Sequence, residues 1–137
     1  MGGSAMSREE ILFANDAFYQ AFADGDERAM EALWAEEAPV ACLHPGWEPL
    51  MERAHVMASW RAILQNPPAV RCLDPRVFDQ DGCAFVLCWE AVGAQYLVAT
   101  NIFVREGGRW RMVHHQSGPT NGKPPKAAQD TEARVIN

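Results

Sequence analysis

Asn101-Ile-Phe-Val-Arg-Glu-Gly-Gly-Arg-Trp-Arg-Met-Val-His-His115 reads as two strands of alternating side chains joined by Gly107-Gly108. Glycines in a two-residue loop tolerate the positive φ that a tight hairpin needs. Such a turn sets Glu106 opposite Arg109. Counting on from there sets Trp110 opposite Arg105, Met112 opposite Phe103, His114 opposite Asn101 and Gln116 opposite Ala99. The preceding strands follow the same logic. If Gly93-Ala94 is also a two-residue loop, Val92 faces Gln95, Asn101 meets Val86, Ala99 meets Cys88 and Leu97 meets Glu90.

Strand parity then sorts the residues into two faces. One holds Glu90, Asn101, His114 and Gln116 among Val86, Cys88, Phe103 and Met112. The other holds Phe85, Leu87, Trp89, Ile102, Val113 and His115 and is more apolar still. Both faces are too apolar for water, so helices should cover one as a pocket and a second copy of the chain should cover the other. A one-residue bulge in either hairpin would exchange the faces. The four polar groups each cost ~1–3 kcal/mol if buried unpaired. They form a satisfied core cluster, or a pocket floor where His114 shuttles a proton while Asn101 holds its tautomer or polarises a carbonyl. A third option is a metal site with His44 or His55 and a carboxylate.

Upstream of the strands the period is helical. Ser7-Arg8-Glu9-Glu10 has the form of a capping box, and Ile11, Asn15, Phe18 and Phe22, with Tyr19 beside them, keep one buried face up to the stop at Asp24-Gly25. Asp26 caps a second helix carrying Met30, Leu33 and Trp34. Pro39 to Leu43 reads as an edge strand. A third helix spans about Met51 to Gln65 with Val56, Met57, Trp60, Ile63 and Leu64 apolar, and Asn66-Pro67-Pro68 ends it. Four strands follow over Val70–Phe78, Cys83–Val92, Tyr96–Arg105 and Arg109–Ser117. The reading gives an appended or disordered start over 1–6, one domain over 7–119 and a mobile tail over 120–137.

Composition narrows the function classes. The 137 residues are 48% hydrophobic, with 18 acidic against 12 basic side chains and a net charge of −6. One core suits that length, and the acidic balance argues against nucleic acid. No apolar run is long enough for a membrane span and no secretion signal opens the chain, so a cytoplasmic location is expected. Cys42, Cys72, Cys83 and Cys88 lack zinc-finger spacing and read as reduced, mostly buried thiols. Dinucleotide, P-loop, nucleophile-elbow and His-Glu-x-x-His motifs are absent.

Ala-Asp-Gly-Asp after the first helix, Leu-Trp-Ala-Glu-Glu-Ala before the edge strand, His44-Pro45-Gly46-Trp47, the Trp60 helix and the Asn101–His115 hairpin together resemble the SnoaL-like, ketosteroid isomerase-related proteins of the NTF2-like superfamily over about Ser7 to Pro119. The resemblance implies an α+β, cone-shaped barrel, with three N-terminal helices packed on a curved antiparallel sheet around a deep apolar cavity, in a homodimer. Two departures stand out. Such relatives commonly end the last strand His-His-His-Ala-Ser-Pro, against His114-His115-Gln116-Ser117-Gly118-Pro119 here. The steroid isomerases also carry a first-helix tyrosine, where this chain has Phe18 with Tyr19 adjacent, and an aspartate base after the first strand, where it has Cys42 and His44.

The functional expectation is a small enzyme without cofactor or metal, using an apolar pocket for isomerase, cyclase or dehydratase chemistry on a compact hydrophobic carbonyl compound. The catalytic candidates are His114, Asn101 and His44, with Trp47, Glu90, Gln116, Phe103, Met112, Phe18, Tyr19 and Trp60 around the ligand. The alternative is a non-catalytic ligand-binding or dimerisation module of the same fold.

Overall fold

The computed structural model describes residues 5–129, with side chains from Ser7 onward. The first four residues of the expected start and residues 130–137 of the expected tail lie outside the described residues. The element order is α1 (Ala5–Asp24), α2 (Glu27–Leu33), β1 (Ala41–Leu43), α3 (Arg53–Ile63), β2 (Val70–Gln80), β3 (Cys83–Val92), β4 (Gln95–Glu106) and β5 (Arg109–Pro119). This is the α+β arrangement expected, with helices on a five-stranded sheet ordered β1-β5-β4-β3-β2. Among the described residues no helix is long and apolar enough to cross a membrane.

Helix α1 begins at Ala5, so Ser7 sits inside it instead of capping it. Its stop is the one expected. Gly25 adopts φ +65, and a Cβ there would meet the Leu64 carbonyl oxygen at 2.9 Å, so both conformation and space call for glycine. The Asp26 N–H reaches the Ala21 carbonyl at 2.9 Å, and the Gly25 N–H reaches Phe22 at 3.3 Å, the pairing of a Schellman ending. Asp26 then caps α2 by accepting from the Ala29 N–H at 3.0 Å. Arg53 ties α3 to the end of α2 by donating to the Trp34 and Ala35 carbonyls at 3.0 and 2.8 Å.

Both turns hold as read. Val92 pairs with Gln95 and Asn101 with Val86, while Glu106 pairs with Arg109 and Phe103 with Met112. Arg105 stacks on Trp110 with its guanidinium carbon 5.3 Å from the ring centroid. Beyond Met112 the register slips. Ile102 faces His114, Asn101 faces His115 and Ala99 faces Ser117, leaving Val113 as the extra residue of a bulge.

The cause lies on the other edge of β5. There Met112 accepts from the Ala35 N–H at 2.9 Å and bridges Trp34. Parallel pairing with β1 then starts at Ala41 opposite His114. Val113 falls where β5 changes partners, and it packs against the core. The Glu106 carboxylate holds the segment before β1 to this hairpin by accepting from the backbone N–H groups of Glu36, Glu37 and Ala38 at 2.7, 3.0 and 3.0 Å.

The core lies between the helices and the inner face of the sheet. Phe18, Trp34, Trp60, Met30, Val86, Phe103 and Met112 are buried there. Phe18 and Phe22 meet the Trp60 ring edge-to-face at 5.4 and 4.9 Å. The outer face leaves Leu87 40% and Val98 41% exposed, with Phe85, Trp89 and Ile102 half-buried. Past β5 the chain returns over this face, and Gly122 lies against Trp89.

Candidate functional site

The bulge decides which polar side chains enter the fold. Upstream of it, β3 and β4 put Glu90 and Asn101 on the inner face, 2% and 0% exposed. Downstream, it turns His115 and Ser117 inward, 1% and 6% exposed. From α1, Asn15 and Tyr19 reach the same place. Both lie on the helical stripe that the sequence marks as buried, and a polar residue in an apolar stripe is itself a sign of a partner.

The six side chains form one directed network. His115 Nδ1 lies 2.6 Å from Asn101 Oδ1, so Nδ1 carries the proton. Asn101 Nδ2 donates to Asn15 Oδ1 at 2.9 Å and to the Tyr19 hydroxyl oxygen at 3.1 Å. Tyr19 donates to Glu90 Oε2 at 2.7 Å, and Ser117 donates to Glu90 Oε1 at 2.5 Å. The line from His115 through Asn101 and Tyr19 ends at Glu90, while a branch runs from Asn101 to Asn15, whose own amide donates to the Cys72 sulfur at 3.5 Å. Two hydroxyl donors favour its ionised form, but burial outweighs them and holds its pKa above the ordinary carboxylate value. Burial, with the Glu90 charge second, pushes the Tyr19 hydroxyl well above its usual range.

Glu90 and His115 face a cavity of about 460 Å³. His44, at the end of β1, lines it too, with Trp47 at the rim, 47% exposed. Phe22, Val70, Val92 and Leu97 supply apolar wall. Ser59 spends its hydroxyl proton on the Val56 carbonyl at 2.7 Å. Its oxygen, 2.9 Å from His44 Nε2, therefore accepts from that nitrogen, leaving Nδ1 of His44 as the lone pair. The rings of His44 and His115 are 6.3 Å apart. Burial lowers the pKa of His44 to about 4. Burial first, then the nearby His44 and His114, lowers that of His115 to about 3. Both rings are neutral at physiological pH.

Several expected positions change. His114 and Gln116 belong to the outer face, and His115, expected outside, takes the place assigned to His114. Glu90, His44 and Trp47 line the cavity, and Asn101 lies on the inner face as expected but behind the lining and beside His115. Tyr19 sits in the network. Phe18, Phe103 and Met112 are 0% exposed and serve as packing, not as cavity lining. Trp60, 1% exposed, backs the ring of His44 at 4.7 Å. His114 faces out and His55 is 66% exposed beside Glu52, so neither joins His44. Among the described residues no three His, Cys, Asp or Glu side chains converge as ligands. Cys42 and Cys88 are buried and Cys72 half-buried, while Cys83 is exposed; all four are free thiols.

Comparison with known proteins agrees with this architecture. Residues 11–121 match the SnoaL-like domain. A Streptomyces avermitilis protein proposed to be a dehydratase of the NTF2-like family is 28% identical, with a TM-score of 0.76 over 85% of this chain and 98% of that one. A Thiobacillus denitrificans protein proposed to be a calcium/calmodulin-dependent protein kinase type II association domain is 32% identical, with a TM-score of 0.67 over 79% of this chain and 93% of the other. The F-box protein SKIP8 of Arabidopsis thaliana is 26% identical over 111 residues, 78% of this chain; the match spans 48% of SKIP8, about half its length.

Proposed function

This chain belongs to the SnoaL-like family of the NTF2-like superfamily, and from that premise we propose that it is a small enzyme moving a proton on a compact carbonyl compound, of the dehydratase or isomerase type, with Glu90 as the base. The observation that carries the reading is a buried carboxylate on a cavity wall, braced by two hydroxyl donors and kept above its ordinary pKa. A carboxylate desolvated in this way is a stronger proton acceptor than one in water.

Applied to a β-hydroxy carbonyl compound, Glu90 takes the proton from the carbon beside the carbonyl. The released electron pair forms the new double bond and expels the hydroxyl from the next carbon. The Glu90 acid returns its proton to that hydroxyl, water leaves and the carboxylate is restored. In an isomerisation the same proton returns to a different carbon. His115 Nε2, the ring nitrogen turned away from Asn101, accepts the hydroxyl hydrogen of the substrate, and Asn101 fixes its tautomer. At the rim, Asn66 and Trp47 carry N–H donors suited to a carbonyl oxygen. The similarity to the Streptomyces protein favours the dehydratase form.

Proton transfer can be tested without the natural substrate. Deuterium uptake beside the carbonyl of small hydroxy-ketones in D2O is followed by NMR, with wild type and Glu90→Gln. Wild type should accelerate the exchange and the variant should lose about 10²–10⁴ of that rate. Exchange no faster than in buffer, or an unaffected variant, refutes the reading.

The exposed apolar outer face favours a second role alongside the first: it joins two copies of the chain, with Leu87 and Val98 near the centre of the contact. Light scattering on Leu87→Glu/Val98→Glu should show a monomer where wild type is a dimer; a monomeric wild type refutes this.

A further inference from the structure

We propose that the floor of the cavity recognises its ligand through hydrogens the ligand donates, so that the head group reaching it is an alcohol hydroxyl and not a carbonyl oxygen or an anion. The inference rests on the cavity being the reaction site and goes on to name what that site selects.

The balance of donors and acceptors at the floor decides what it can hold. The side-chain donors among the lining residues, Asn66 and Trp47, sit at the rim, and the four side chains packed behind the floor that could donate have all spent their protons. Tyr19 and Ser117 give theirs to Glu90, Ser59 gives its own to the Val56 carbonyl, and Asn101 Nδ2 is shared between Asn15 and Tyr19. What remains at the floor is acceptors: the unused lone pairs of Glu90, Nε2 of His115 and Nδ1 of His44. The polar partner of His44 Nδ1 is the Cys42 thiol at 3.9 Å, a weak donor at the limit of reach that a ligand hydroxyl outcompetes.

Neither imidazole gains a second proton until the pH falls to about 4 for His44 and about 3 for His115. Under ordinary conditions neither becomes a donor. Among the described residues no lysine or arginine lines the cavity, and the formal charge on its wall is the Glu90 carboxylate. A ketone or ether oxygen placed at the floor would face lone pairs with lone pairs and lose its own hydration without replacement. A carboxylate or phosphate would add charge repulsion. A hydroxyl donates to one imidazole, and a vicinal diol can serve both rings. Donor specificity then belongs to His44 and His115, separate from the proton transfer assigned to Glu90.

The test uses matched cyclohexane probes, with dissociation constants measured by ligand-observed NMR: trans-1,2-cyclohexanediol, cyclohexanol, cyclohexanone, cyclohexanecarboxylate and cyclohexylamine. The diol and the alcohol should bind about tenfold or more tighter than the ketone, the factor expected of one net hydrogen bond, and the carboxylate should not bind. His44→Leu should reduce the diol to the affinity of the alcohol.

If that variant fails to fold, nitrogen NMR of the wild type provides the check. His115 Nε2 and His44 Nδ1 should show lone-pair signals that move on adding diol and stay put with ketone. A ketone that binds as tightly as the alcohol overturns the inference and leaves the cavity reading intact. Cyclohexylamine binding tighter than the diol replaces the hydroxyl with a cation and also overturns it. Failure of every probe to bind overturns both readings together.

Discussion

Replacing Asn101 by leucine removes the centre of the buried network while keeping a branched side chain in place. Three bonds disappear: acceptance from His115 Nδ1–H at 2.6 Å and donation to Asn15 Oδ1 at 2.9 Å and to the Tyr19 oxygen at 3.1 Å. Tyr19 retains Glu90 and the Cys88 thiol, at 2.7 and 3.2 Å, so it is not orphaned. His115 N–H and Asn15 Oδ1 are, in a place that water does not reach, Asn15 and His115 being 0% and 1% exposed. At ~1–3 kcal/mol for each unsatisfied buried group, the loss is about 2–6 kcal/mol. A domain of this size has about 5–15 kcal/mol in all.

Urea unfolding measures this loss as a fall in midpoint at constant slope. The double variant Asn101→Leu/His115→Leu supplies the internal control, because it removes both ends of the shortest bond. The two losses should therefore be less than additive by about 1 kcal/mol or more. A loss below about 1 kcal/mol in the single variant, or strict additivity in the double, refutes the claim that Asn101 is the hub and with it the fixed tautomer of His115.

The neutral histidines predict acid lability. With pKa values of about 4 for His44 and about 3 for His115 in the folded chain, against about 6.5 unfolded, the unfolded state binds more protons in between. Stability is therefore whole above about pH 6.5, falls as the pH drops from there towards 4, and levels off below about 3. For His44 alone the gap is worth about 3 kcal/mol, and His44→Leu should flatten that limb in circular-dichroism titrations. His114→Asn should leave probe binding unchanged, whereas His115→Asn should weaken hydroxyl-bearing probes; the reverse result refutes the observed register. Gly25→Ala forces a side chain into φ +65 against the Leu64 carbonyl and should cost about 1–3 kcal/mol in thermal or urea unfolding.

Local chemistry makes much of this protein readable from its residues. Gly93-Ala94 and Gly107-Gly108 set two hairpin registers because a two-residue loop leaves no slack, and Asp24-Gly25-Asp26 marks one helix end and the next start. Stripe residues such as Tyr19 and Trp60 follow from a period of 3.6, and Glu90 and Asn101 share a face because strand parity counts by two. Family resemblance, carried by the same motifs, extends this to the whole architecture.

The identity of the working histidine is different in kind. His114 and His115 are adjacent and chemically identical, and a single extra residue decides which turns inward. That residue is Val113, and no feature of its own sequence neighbourhood demands a bulge there. The demand comes from the far edge of β5, where Trp34 and Ala35 hold Met112 and β1 begins at His114, contacts between segments about 75 residues apart in sequence. Local rules set where hairpins turn. Only the competition of two edges for one strand sets where its register slips, and that competition exists only once the sheet has assembled.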